Sequence, residues 1–106
     1  MGSYLAKPQV DEDLVHSALW IKHDNPVAAQ KFLDRAFESF ELLAQHPEAG
    51  PRARLKPERL KDVRFWIMHP PFNRWLIFYR IEGDVVVILR VLYGTQNWRE
   101  EPESFL

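Results

Sequence analysis

Two runs of β-branched and aromatic residues, Arg74-Trp75-Leu76-Ile77-Phe78-Tyr79-Arg80-Ile81 and Val85-Val86-Val87-Ile88-Leu89-Arg90-Val91-Leu92-Tyr93, stand on either side of Glu82-Gly83-Asp84. Neighbouring strands joined through a short glycine-containing turn pair as an antiparallel hairpin, here from about Trp75 to about Tyr93. Near-continuous apolar content marks both as central strands covered on both faces. Arg80 and Arg90 interrupt them, and an unpaired buried guanidinium is costly, so each must reach solvent, a carboxylate or a partner. The register decides whether they act together. A three-residue loop, with Ile81 opposite Val85, sets Leu76 against Arg90 and puts both arginines on one face. A two-residue loop, with Glu82 opposite Val85, sets Ile77 against Arg90 and separates them. Pairing of Arg80 with Glu82 or Asp84, and of Arg90 with a helix carboxylate, is the plain structural alternative to a binding role.

A sheet so apolar needs a cover, and the N-terminal half supplies one. Tyr4 to Lys7 reads as a first strand ended by Pro8. From Pro8, Leu14, Ala18 and Ile21 recur at helical spacing, with Val15 and Leu19 widening the stripe and Asp11-Glu12-Asp13 near the positive end of the helix dipole. Asp24-Asn25-Pro26 stops this helix and starts the next, Asn25 as N-cap and Pro26 at the first helical position. The second helix presents Ala29, Phe32, Leu33, Ala36, Phe37, Phe40, Leu43 and Ala44 as one apolar face and ends at His46-Pro47-Glu48-Ala49-Gly50-Pro51. Residues 51–62 have no period and read as a loop or a short helical turn. Arg64-Phe65-Trp66-Ile67-Met68 reads as a strand closed by His69-Pro70-Pro71. The expectation is an α+β domain in the order β-α-α-β-β-β, with an antiparallel helical hairpin packed on a mostly antiparallel twisted sheet.

The 106 residues leave room for one domain, residues 1–106, with 99–106 expected as a flexible acidic tail. Apolar residues make up 46% of the chain, enough for a core. With no cysteine there is no disulfide or thiolate site, and His16, His23, His46 and His69 lack metal-ligand spacing, so neither cofactor nor metal is expected. No apolar run nears the ~20 residues of a membrane span, and no signal-peptide layout is present, so a cytoplasmic protein without membrane contact is expected. The net charge of −1 divides into −4 over residues 1–50, +5 over 51–95 and −2 over the remainder. The basic centre could be a nucleic-acid footprint, but a pI near 6.4 argues against strong nonspecific binding.

The segments Asn25-Pro26-Val27-Ala28-Ala29, Leu43-Ala44-Gln45-His46-Pro47-Glu48-Ala49-Gly50, Leu76-Ile77-Phe78-Tyr79-Arg80 and Ile88-Leu89-Arg90-Val91-Leu92-Tyr93-Gly94, in this order and spacing, resemble the ParE branch of the ParE/RelE toxin superfamily over residues 4 to 98. The chain departs from that pattern in three places. Tyr93 stands where histidine is common, Lys7-Pro8 replaces a Ser-Pro helix entry, and the 65–75 region with Pro70-Pro71 is longer. The resemblance implies the toxin of a type II toxin–antitoxin pair, assembled with a cognate ParD-like antitoxin whose C-terminal segment folds on it, in a hetero-oligomer. ParE-like members bind and poison DNA gyrase. RelE-like members cut messenger RNA on the ribosome, which needs a base, cations and an acid; Lys56, Lys61, Arg64, Arg80, Arg90 and Tyr93 would be the candidates here.

A slightly acidic chain with no tyrosine or histidine after Tyr93 favours binding over cleavage. An inactive relative that only binds its antitoxin is the third reading. Candidate partner-contact residues are Val15, Leu19 and Trp20 with the outer edge of the second helix, Arg64, Arg80 and Arg90 as anchors for an acidic partner, and Tyr93, Asn97 and Trp98 beyond them.

Overall fold

Proline placement sets the frame. Pro8 and Pro26 each open a helix where their missing N–H has no intrahelical partner, and the Asn25 side chain accepts the Ala28 N–H at 3.0 Å between the two helices. The computed structural model describes residues 2–94 and Phe105. Over them the chain runs β1 (Ser3–Ala6), α1 (Pro8–Asp24), α2 (Pro26–Gln45), β2 (Arg64–Ile67), β3 (Trp75–Glu82) and β4 (Val85–Tyr93). This is the expected β-α-α-β-β-β order. The sheet order is β1-β4-β3-β2, with β1 parallel to β4 and the other two pairs antiparallel.

The helical hairpin covers one face. Phe32, Ala36, Phe40 and Leu43 of α2 are fully buried with Val10 and Leu14 of α1 against Ile77, Tyr79, Ile88 and Val91. Each large side chain so buried contributes roughly 1.5–3 kcal/mol. The apolar face of α2 is narrower than its sequence suggests. Phe37 is 47% exposed, because a stripe through 29, 32, 36, 40 and 43 leaves it on the flank, where its ring meets Phe40 edge-on at 5.7 Å.

The opposite face is covered by what the sequence presents as an aperiodic loop. Ala53, Leu55, Leu60 and Val63 are buried there with Phe78, Val87, Leu89 and Leu92. The segment holds only one 3-10 turn, Glu58–Leu60, so its apolar residues reach the sheet by loop geometry rather than by period. Phe105 joins this cluster at 1% exposure, its ring centroid 4.7 Å from that of Phe78. The expected solvent-facing tail therefore ends in a core contact at Phe105; residues 99–104 lie outside the described residues.

The hairpin closes with the two-residue loop. Glu82 faces Val85, and Gly83 takes φ +64°, a conformation that costs glycine little. Neither expected partner of Arg90 holds, because the register shifts between Phe78 and Tyr79: Tyr79 faces Ile88, but Phe78 faces Arg90. One extra residue on β4 makes a bulge and reverses the faces beyond it. Val91 and Tyr93 thereby join the helix-side core, while Leu92 joins the other.

Candidate functional site

β1 pairs with β4 only as far as Ile88, so beyond it the outer edge of β4 carries backbone groups to satisfy, and the answer comes from α1. Asp13, buried on the sheet side of the helix, accepts the Val91 N–H at 3.0 Å. The same carboxylate takes Arg90 in a bidentate pair, Nε and Nη2 each at 2.8 Å. Hydrogen bonding to Asp13 raises the Arg90 pKa above its usual value, against the opposing effect of burial. The predicted helix carboxylate for Arg90 is thus Asp13.

The other two arginines are also engaged within the chain. Arg80 pairs through Nε with Glu82. It stands opposite Val87 and Arg90 stands opposite Phe78, both of the second cluster, so the bulge returns the two arginines to one side of the ladder, but their guanidiniums go to different partners, Glu82 at the turn and Asp13 of α1. Arg64 donates from Nη1 to the Gly50 carbonyl at 2.7 Å. Beside it the Tyr79 hydroxyl donates to the Pro47 carbonyl at 2.7 Å and accepts the Gly50 N–H at 2.9 Å. Burial raises the Tyr79 pKa, a shift partly offset by the Gly50 bond and the Arg64 charge and added to by Glu48. Arg64 and Tyr79 therefore fasten the turn that follows α2. Lys61 pairs with Glu58, and Lys56 is exposed in the loop across the second face. Among the described residues no cluster of acidic or histidine side chains is placed to hold a metal.

The candidates on α1 behave differently. Val15, Leu19 and Trp20 are 57%, 61% and 63% exposed, unusual for large apolar side chains on adjacent turns. They line two openings rather than one. Val15 and Leu19 face α2 across a groove of about 380 Å³ that also takes in Ala18, Ala29 and Leu33. Trp20 turns to the other flank, where it walls a pocket of about 220 Å³ with His16, Ser17, Trp75 and Tyr93. The ring centroids there lie 6.1 Å (Trp20–Trp75), 6.0 Å (Trp20–Tyr93) and 4.9 Å (Trp75–Tyr93) apart. Ser17, also buried, fixes the wall by accepting the Trp75 Nε1–H at 3.0 Å. Arg74 donates to the Tyr93 hydroxyl at 3.4 Å. The β4 bulge makes this possible, since an unbroken ladder would aim Tyr93 at the opposite face.

Trp75, His16 and Ser17, which line this pocket, and Arg74, bonded to its Tyr93, were missed by sequence reasoning. A visible signal was the i, i+4 spacing of His16 and Trp20 on the polar side of α1. Asn97 and Trp98 lie outside the described residues.

The family model described as the ParE toxin of the type II toxin–antitoxin system parDE matches residues 4–98. The chain is 26% identical over 97 residues to Toxin RelE3 of Caulobacter vibrioides, covering 92% of this chain and 99% of that one. It is 32% identical over 79 residues to Y4kP of Sinorhizobium fredii, covering 74% of each. Among solved structures, one titled as the chromosomal ParDE TA system from P. aeruginosa superposes with a TM-score of 0.68 at 19% identity, over 88% of this chain and 95% of that one.

Proposed function

The chain belongs to the ParE toxin family of type II toxin–antitoxin systems, and from that premise we propose that it acts by binding and poisoning DNA gyrase and is silenced by an antitoxin segment seated on its helical hairpin. The observation that carries the binding reading is the dispersal of the groups a nuclease would need. In-line cleavage of RNA requires cations and an acid–base pair converging on one phosphate. Arg90 is bidentate to Asp13, Arg64 holds the turn after α2, and Arg80 pairs beside the β3–β4 loop. Tyr93 faces Trp75 at the far end of the hairpin, roughly 17 Å along β3 from Arg80 at about 3.3 Å per residue. These groups stabilise the fold where they stand and do not converge. A surface toxin that works by occupancy needs no such convergence.

The exposed α1–α2 groove supports the antitoxin half of the reading. An antitoxin segment that orders on binding needs apolar anchors at helical spacing, and Val15 and Leu19 provide them next to Leu33. The P. aeruginosa structure similar to this chain, a ParDE toxin–antitoxin system, supports this reading.

Controlled expression in a bacterium lacking the antitoxin tests the target. Filamentation, a DNA-damage response and inhibited supercoiling by purified gyrase are the expected results. Translation arrest with cleaved messages would replace this reading with the RelE-like nuclease, and an absence of any growth effect would leave an inactive antitoxin-binding relative.

A further inference from the structure

We infer that the antitoxin segment crosses α1 and seats an apolar side chain in the Trp20–Tyr93 pocket, with a neighbouring carboxylate paired to Arg74. This rests on the docking reading above and extends it to a second site.

Continuity is the first argument. Leu19 and Trp20 are adjacent in sequence, each more than 60% exposed, and belong to different openings on the two flanks of α1. At 100° per residue, Val15 and Leu19 lie one helical step from His16 and Trp20. Leu19 and Trp20 thus bring the two openings together over the crest of the helix, with His16 beside them, between Glu12 one turn before and His23 one turn after. A segment lying only in the groove would leave Trp20 in water.

The second argument is that the pocket is already built. The Ser17–Trp75 hydrogen bond holds the indole, and Trp75 is 6% exposed, so the inner wall is fixed while Trp20 stays open at the rim. A preformed cavity of about 220 Å³ takes one large apolar side chain without ordering its own walls.

The third is charge. Arg64, Arg80 and Arg90, the anchors expected from sequence, are engaged by Gly50, Glu82 and Asp13. Arg74 is exposed, and among the described residues its guanidinium contacts only the Tyr93 phenol oxygen. A phenol does not neutralise a guanidinium; a carboxylate does, in a bidentate geometry lysine cannot copy. The cavity's tryptophans and tyrosine, with an arginine bonded to that tyrosine, are also among the residue types that dominate binding hot spots.

The test uses the full-length toxin and its cognate antitoxin, with affinity measured by calorimetry at low and high salt. Trp20→Ala and Arg74→Ala are each expected to weaken binding ~30-fold, the scale of a hot-spot truncation. Arg74→Ala should also flatten the salt dependence, and Trp20→Phe should recover most of the loss. Melting curves establish that each variant is folded, and both substituted side chains are exposed. If Leu19→Asp abolishes binding while Trp20→Ala and Arg74→Ala stay within twofold of wild type, the crossing is wrong and the groove reading survives. If Leu19→Asp has no effect, or wild type does not bind, both are wrong.

Discussion

Asp13 makes the most of a single side chain in this fold, and Asp13→Ala is the perturbation that exposes it. The carboxylate accepts three hydrogen bonds, two from Arg90 at 2.8 Å and one from the Val91 N–H at 3.0 Å. Its side chain is 6% exposed and that of Arg90 16%. Removing one partner of such a pair costs roughly 3–5 kcal/mol, because the remaining charge stays desolvated. Arg90 retains some access to water, which favours the lower end. The Val91 amide adds its own penalty of about 1–3 kcal/mol if no water reaches it. A loss of about 4 kcal/mol is the resulting expectation, a large share of the 5–15 kcal/mol typical of a domain.

That loss corresponds to a fall in melting temperature of roughly 15–30 °C for a chain of this size. Urea unfolding followed by tryptophan fluorescence, with calorimetry alongside, measures it. Asp13→Asn with Arg90→Met removes both charges but keeps an oxygen for Val91, and should lie within ~1.5 kcal/mol of wild type, because an apolar replacement of a buried pair is often neutral. An Asp13→Ala loss below ~1 kcal/mol, the value of an exposed pair, would refute the reasoning. So would a double variant no better than the single one.

Three further outcomes follow from other buried contacts. Tyr79→Phe orphans the Pro47 carbonyl and the Gly50 N–H and should cost about 2 kcal/mol; because burial raises the folded-state pKa of this phenol, its contribution is intact below the ordinary value of about 10 and declines as pH rises through the folded pKa, so urea unfolding above pH ~10 should weaken the wild type more steeply than the variant. Gly50→Ala would set a Cβ 2.2 Å from the Phe65 carbonyl oxygen and 2.8 Å from the Tyr79 hydroxyl, so chemical denaturation should show a loss of about 3 kcal/mol or more. Phe105→Ala removes a ring packed on Phe78 and should cost about 3 kcal/mol, measured by the urea midpoint; a surface-like change below ~0.5 kcal/mol would place that ring outside the core.

Periodicity is what made most of the fold legible. The α2 stripe, the Asn25-Pro26 break and the two apolar strands each carry their geometry locally, and each forms, the stripe without Phe37. The second sheet face was not legible, because Ala53, Leu55, Leu60 and Val63 reach it from a loop with neither a helical nor a strand period to announce them. The register was half legible: the glycine turn permits two loops, and nothing in Ile88-Leu89-Arg90-Val91 signals an extra residue.

The bulge shows why the site was harder to read than the fold. A one-residue slip near Leu89 costs little in composition, yet it carries Val91 and Tyr93 to the helix side, where the Val91 amide meets an acidic residue 78 positions away. Asp13 and Arg90 look, in sequence, like a helix-dipole acid and a candidate anchor. Together they pin the bulge, and the bulge aims Tyr93 at Trp20. The arginine beside the aromatic pocket is then Arg74, just ahead of β3, whose neighbour is a phenol rather than a carboxylate. On this logic Asp13 acts on partner binding through Tyr93: Asp13→Ala, at a temperature where the chain stays folded, should loosen the aromatic pocket and weaken binding there while leaving the contacts of Val15 and Leu19 intact. Tryptophan emission and the salt dependence of affinity report the two effects separately.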